Sequence, residues 1–221
     1  MTDLESVCGL GAVSRETRER LRAYHALLVK WQGTINLVSP STIEQAWERH
    51  FADSAQLLAL APQGVERWLD IGSGAGFPGL VIAIMLAEID PRAEVVLVES
   101  DTRKCAFLQT VIAQTGAPAR VMAMRAGSAA AELAALPPAG LQVISARALA
   151  PLPKLLEMIE PFWTQHSVGL FPKGRDVGLE LTEASKWWTI KASNIPSHTS
   201  GDGVILKLEE LARVRPQEVK A

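Results

Sequence analysis

The sequence predicts an α/β protein: a mostly parallel sheet covered by helices on both faces, ending in an antiparallel pair and preceded by a helical N-terminal extension. Three observations predict it. Short apolar, often β-branched runs, "RWLDI", "EVVLVES", "RVMAM", "LQVISA" and "VGLF", are separated by segments of helical length, the pattern of βαβ units. Two further strand-like runs near the end, "WWTIKASNI" and "GVILKLEEL", are joined by "PSHTSGDG". That connection leaves no room for a crossover helix, so the two form a hairpin. The first strand also runs straight into a glycine loop, "RWLDIGSGAGFPGL", before the next apolar run begins.

Taken in chain order, residues 1–63 read as the helical extension and 64–221 as the sheet domain. Ser14 is placed to cap a helix whose apolar positions Leu21, Leu27 and Leu28 recur at helical spacing. "WQGTINLVSP" breaks it with Gly33 and Pro40. Ser41-Thr42-Ile43-Glu44 has capping-box form and predicts a second helix through roughly Leu60. Pro62 and Gly64 punctuate its end. Five parallel strands then alternate with helices, the first of which opens at Phe77. "SAAAELAALPPAG" reads as a plain Ala-rich surface helix, and Trp187-Trp188 as edge-strand packing.

Composition narrows the function classes. The 221 residues are 48% hydrophobic and 21% charged, enough for a soluble domain with a real core. A net charge of −2 excludes a global basic field, so a polyanion would have to be met by a local patch. Cys8 and Cys105 are isolated and outside any C-x-x-C spacing, which argues against a disulfide framework or a zinc site and for a reduced compartment. The N-terminus is acidic and then charged, unlike a signal peptide. The apolar run "GLVIAIMLAEID" is too short to span a bilayer. The expectation is a cytoplasmic, monomeric protein without membrane segments or metal.

The loop matches Gly74-x-Gly76-x-x-Gly79 and lies between a strand and a helix, as a nucleotide fingerprint requires. Glycines let the backbone turn sharply and approach a ligand, and the helix start offers free N–H groups. Glu99, ending the next strand, would lie beside the loop at the carboxyl edge of the sheet and accept bonds from ribose hydroxyls. The plainer reading is a turn that only lets helix and sheet pack closely. Three features favour S-adenosylmethionine over a dinucleotide. Asp70 stands two residues before the first glycine, placed to hold the amino-acid end of the ligand indirectly. No second glycine loop serves a second mononucleotide half. The antiparallel finish is also that of a methyltransferase sheet. No G-x-x-x-x-G-K-[ST] occurs, which disfavours a kinase.

At these residues a specific resemblance emerges. "WQGTINLVS", "ERHFADS", "LDIGSGAGFPGL", "ESDTRKCAFL", "ARALAPL" and "LFPKG" occur in the order and spacing of the bacterial 16S ribosomal RNA guanine-N7 methyltransferases, also called glucose-inhibited division protein B. The resemblance spans roughly residues 24 to 208. It implies a seven-stranded, Rossmann-like class I methyltransferase sheet with a helical N-terminal extension, and as acceptor a guanine in the helix 18 loop of small-subunit RNA. It implies cofactor contacts at Gly72 and Phe77, at Ala126 and Gly127 after the third strand, and at Arg147 after the fourth; Gly74 and Glu99 join them on the fingerprint reading. Two positions depart from the family pattern. Gly127 stands where the family usually has glutamate, and Gln142 where it usually has aspartate.

Guanine N7 carries an in-plane lone pair and no proton, so methyl transfer to it needs alignment and no general base. The four histidines form no serine or cysteine constellation, in keeping with positional catalysis. The substrate then needs a pocket for an exposed base and cations for phosphates. Arg103, Lys104, Arg125, Arg147 and Lys173 fall on the carboxyl-edge loops and form a candidate basic rim. His50 and Asp53 share a helix face with Trp47 and Ser54, with Asn36 in the preceding loop. That face either lines the site or pins the extension to the sheet through a His–Asp hydrogen bond. Arg49 and Lys30 read as solvated. Two other functions stay open: a cofactor- and RNA-binding protein without turnover, and an NAD(P)-dependent oxidoreductase.

Overall fold

The structure, a computed structural model, describes residues 13–133 and 141–214. Cys8, most of the Ala-rich stretch after Leu133, and the two chain ends of the proposed domain division lie outside the described residues. The helical extension begins with α1 (Arg15–Gln32). Ser14 caps it through a side-chain bond from the Thr17 amide, and Leu21, Tyr24 and Leu28 are fully buried beneath it.

The second helix differs from expectation. Pro40–Thr42 form only a 3-10 turn. The helical run begins at Trp47 with a π-helical stretch, Trp47–Ala52, continues through α2 (Asp53–Ala55), and tightens to a 3-10 turn, Gln56–Leu60. The capping box does not form: the Ser41 hydroxyl pairs with the Ser39 hydroxyl at 2.9 Å, and the neighbouring Thr42 hydroxyl bonds the Ser39 carbonyl and the His50 ring. A wide turn of this kind often marks a functional segment.

The sheet has seven strands: β1 (Arg67–Ile71), β2 (Glu94–Glu99), β3 (Ala119–Ala123), β4 (Val143–Ser145), β5 (Val168–Lys173), β6 (Trp188–Pro196) and β7 (Val204–Arg213). Their order is β3-β2-β1-β4-β5-β7-β6. Strands β1 to β5 pair in parallel, and β7 lies antiparallel between β5 and β6. The expected hairpin is therefore present, with β7 as its inner strand. Sequence alternation divides the core. Trp68, Val95, Leu97, Val143 and Leu170 face α1, α3 (Gly79–Ile89) and α4 (Thr102–Thr115). Leu69, Ile71, Val96, Val98, Ile144 and Phe171 face α5 (Ala126–Leu133), α6 (Leu152–Ile159) and α7 (Val177–Ala184). Helix α3 is buried nearly all round, which explains its unbroken apolar sequence. Trp188 is buried beneath the Arg213 guanidinium, whereas Trp187 is exposed.

Gln142, the second departure from the family pattern, sits where β4 begins, at the edge opposite the glycine loop. Its Oε1 accepts from the amides of Glu66 and Arg67 at 2.7 and 3.0 Å. It clamps the entry to β1.

Candidate functional site

β1 and β4, neighbours in the sheet, deliver the glycine loop and the Arg147–Pro151 loop to the same carboxyl edge. Between them opens a cavity of about 1100 Å³, walled by the π-helical segment on one side and by the β6–β7 turn on another. Topological switch points of this kind are where open α/β sheets bind ligands.

The glycine loop turns through left-handed backbone at Gly72, Gly74 and Gly76, with φ of +69°, +56° and +93°. A Cβ on Gly76 would lie 2.7 Å from the Tyr24 hydroxyl, which donates to the Ala75 carbonyl. The third fingerprint glycine serves packing: a Cβ on Gly79 would stand 2.4 Å from Leu97 and 2.8 Å from Asp70. Helix α3 starts at Gly79, two residues later than expected.

Glu99 is buried and locks the loop. Its Oε2 accepts from the Gly74 amide at 2.8 Å, and its Oε1 from the amides of Ser100 and Asp101 at 2.7 and 2.8 Å. Oε2, with one bond, keeps acceptor capacity toward a further donor.

Asp70 is fully buried behind the loop. It accepts from the Ser145 hydroxyl at 2.7 Å and the Gly79 amide at 3.3 Å, while the Trp68 indole donates to Ser145 at 2.8 Å. Burial pushes its carboxyl up to about 6, against the opposing pull of these bonds. The folded protein therefore holds this proton more tightly than the unfolded chain. Stability should fall as pH rises from about 4 through 6, by on the order of 3 kcal/mol in all. In denaturant titrations across that range, Asp70→Asn should flatten the slope; an unchanged slope would assign the titration elsewhere.

The helical wall carries His50 and Asp53. No His50–Asp53 bond forms. Thr42 Oγ1 donates its one proton to the Ser39 carbonyl, so it accepts from His50 Nε2–H at 2.8 Å. That fixes the tautomer and leaves Nδ1 buried without a partner. Burial, aided by the positive charges of Arg147 and Arg49, pulls the ring down to about 3, so His50 is neutral at physiological pH. It stacks on Phe77 at 5.1 Å. Phe77 in turn lies in a ring cluster with Tyr24 and Phe51, and the Arg147 guanidinium sits 5.2 Å above it.

Asp53 pins the extension to the sheet domain. Its Oδ2 pairs with Arg147 Nη1 at 3.3 Å, and its Oδ1 accepts from Thr199 at 2.8 Å and Gln56 at 3.0 Å. Arg147 Nη1 also donates to the Arg49 carbonyl at 3.1 Å. The next residue, Ala148, is the one non-glycine among the described residues with positive φ, +52°. Such strain persists only where its surroundings enforce it. Here both ends of the loop are tied: Lys173 Nζ donates to the Ala150 carbonyl and pairs with Glu180 at 2.7 Å, and Glu180 accepts from the Leu152 amide.

Of the residues singled out in the sequence, Gly72, Gly74, Phe77, His50, Asp53, Lys104, Arg147 and Lys173 line this one cavity. Glu99 stands directly behind the loop. Asn36 is exposed, beside cavity-lining Leu37 and Val38. Ala126 and Gly127 begin α5, off the cavity wall, and a Cβ at Gly127 would meet nothing within 4 Å. Arg103 and Arg125 are exposed and away from the cavity lining. The basic rim is thus rearranged. Lys173 is an internal tie with a side chain only 10% exposed. Arg49 and Arg175 line the mouth and, like Lys104, have no ion-pair partner among the described residues. Sequence reasoning misses Arg175, whose signal is its place two residues beyond β5. No described group of histidines, cysteines and acids could hold a metal, and no described helix is long and apolar enough to cross a membrane.

Comparison with known proteins agrees with this geometry. The sequence profile described as GidB, rRNA small subunit methyltransferase G, matches residues 17–204. Proteins named ribosomal RNA small subunit methyltransferase G resemble the chain throughout. That of Rhodospirillum centenum is 51% identical over 96% of this chain and 91% of its own length. That of Methylobacterium nodulans is 46% identical over 97% and 99%. Among solved structures, an O-methyltransferase from Bacillus cereus in complex with SAH has a TM-score of 0.57 at 14% identity, covering 89% of this chain and 91% of its own. Aeropyrum pernix fibrillarin with natively bound S-adenosyl-L-methionine has a TM-score of 0.54 at 17% identity, covering 73% and 75%. These two likenesses establish the fold.

Proposed function

The chain belongs to the GidB family, the rRNA small subunit methyltransferases G, and on that premise we propose that it transfers the methyl group of S-adenosylmethionine to N7 of a guanine in the helix 18 loop of 16S ribosomal RNA. The observation that carries the reading is the single cavity where the glycine loop, the helical wall and three cations without an ion-pair partner among the described residues meet.

The residues present fit the cofactor. Gly74 leaves its approach open, since a Cβ there would meet nothing closer than 3.8 Å, and Glu99 offers a carboxylate fixed by three amides. When bound, S-adenosylmethionine supplies an electrophilic methyl on a sulfonium. Gly72, Gly74, Phe77 and Arg147 would form its cradle, Glu99 would take the ribose, and Ala126 and Gly127 would flank the adenine. With no glutamate at Gly127, the adenine amino group must find a backbone acceptor. The chain's own task is alignment, because N7 needs no proton removed. A neutral His50 suits that role.

Arg49, Lys104 and Arg175 are positioned for phosphates of the acceptor strand. Removing one cation that meets a phosphate should reduce the log–log salt slope of RNA binding by about 0.7. Lys104→Ala and Arg175→Ala should each do so while leaving cofactor affinity nearly intact. Lys173→Ala should instead lower folding stability by about 1–3 kcal/mol, by stranding Glu180 and freeing the Ala148 loop. Binding of small subunits across a salt series, with parallel thermal melts, separates the two. Parent-like binding by the Lys104 and Arg175 variants at every salt concentration would make these solvated charges.

Incubating the protein with small subunits and methyl-labelled S-adenosylmethionine tests the reading. Label should appear in 7-methylguanine. A titration against NAD separates the oxidoreductase alternative, and binding without label transfer would favour a non-catalytic protein. We infer a cytoplasmic monomer that acts on the small subunit or an assembly intermediate.

A further inference from the structure

Guanine presents two adjacent donors, N1–H and the N2 amino group, on the edge away from N7. A pocket that holds N7 toward the glycine loop must place acceptors opposite that edge. Among the described residues, three carboxylates line the cavity: Asp53, Glu180 and Asp202. Asp53 has both oxygens engaged, by Arg147, Thr199 and Gln56, and the charge of Glu180 is neutralised by Lys173, its Oε2 also accepting from the Leu152 amide. Asp202 is exposed, accepts no hydrogen bond and forms no ion pair among the described residues.

Its backbone is nonetheless well fixed. Gln56 reaches the β6–β7 turn through Ser197 at 3.1 Å and the His198 amide at 3.0 Å, and Asp53 holds Thr199. The turn closes on itself through Ser197 N to Gly203 O at 2.9 Å and Gly203 N to Ser200 O at 3.2 Å. The end of the helical wall, Asp53 in α2 and Gln56 in the 3-10 turn, thus presents the β6–β7 turn to the cavity.

We propose that Asp202 is the specificity-determining carboxylate that reads the acceptor base, accepting from guanine N1–H and N2–H together. This rests on the guanine-N7 reading above. Adenine offers an N1 lone pair at the same place, which a carboxylate repels, so one residue both selects guanine and rejects adenine. The bond also serves the reaction. As N7 takes the methyl, the purine gains positive charge and N1–H becomes a stronger donor, so the interaction tightens toward the transition state.

The test uses small subunits reconstituted with guanine or inosine at the acceptor position, inosine lacking only the N2 amino group. The parent should prefer guanine. Asp202→Ala should lower kcat/KM on guanine by about 10- to 100-fold, the range for a bond to a charged acceptor, and its guanine-over-inosine preference should collapse toward one. Asp202→Asn, which keeps one acceptor, should fall between. Melting temperature and S-adenosylmethionine affinity should match the parent in both variants, which a role confined to folding the turn would not allow. An undiminished guanine preference in Asp202→Ala would overturn the proposal. A parent that modifies no guanine at N7 would overturn the underlying reading instead.

Discussion

Gly74→Val should all but abolish S-adenosylmethionine binding while the chain stays folded. Gly74 holds φ of +56°, a region costing an L residue about 1–2 kcal/mol and more when β-branched. The variant relaxes that strain by moving the loop, which withdraws the Gly74 amide from Glu99. Binding must then rebuild the strained backbone, and the branched side chain would stand in the ligand's approach path, where glycine leaves open space. Together these lower affinity by about 100-fold or more. The fold survives because the side chain would begin in open space. Calorimetric titration beside a thermal melt checks both halves. Parent-like affinity in a folded Gly74→Val protein would remove this loop from the site.

Glu99→Ala acts from the other side of the same bond. Removing the carboxylate strands the amides of Gly74, Ser100 and Asp101 and takes away the acceptor intended for the ribose. Cofactor affinity should fall about 10- to 100-fold, and RNA binding should barely change, since Glu99 lies behind the loop. A variant that loses RNA but keeps the cofactor would show that the two sites have been exchanged.

Much of this fold is legible in local pattern. The apolar runs "EVVLVES" and "VGLF" form β2 and β5, and "PSHTSGDG" forms the turn between β6 and β7, because strand and turn preferences act over a few residues. The glycine loop is legible for the same reason: left-handed backbone selects glycine. What escapes depends on partners distant in sequence. Ser41-Thr42-Ile43-Glu44 has the form of a capping box, yet the Ser41 hydroxyl is taken by Ser39, and Thr42 by Ser39 and His50. Asp53 has His50 as its helical neighbour, but its partners are Arg147 and Thr199 on the sheet domain. Lys173 carries the charge expected of an RNA contact, and only folding shows that Glu180 neutralises it. Charge is visible in a sequence; whether it is spent is a property of the fold.

The site draws its shape from a junction between the extension and the sheet. Arg147 stacks on Phe77, pairs with Asp53 and borders the strained Ala148. Asp53 extends that junction to the β6–β7 turn. One helical wall thereby fixes both the Phe77–Arg147 floor proposed for the cofactor and the turn proposed for the base.

The most direct measurement is a map of 7-methylguanine along small-subunit RNA from cells with and without this protein. One guanine in the helix 18 loop should be methylated at N7 when the protein is present, unmethylated when it is absent, and restored by the parent sequence but not by Gly74→Val. An identical 7-methylguanine map in both cell lines would contradict the assignment of this chain as the methyltransferase for that base.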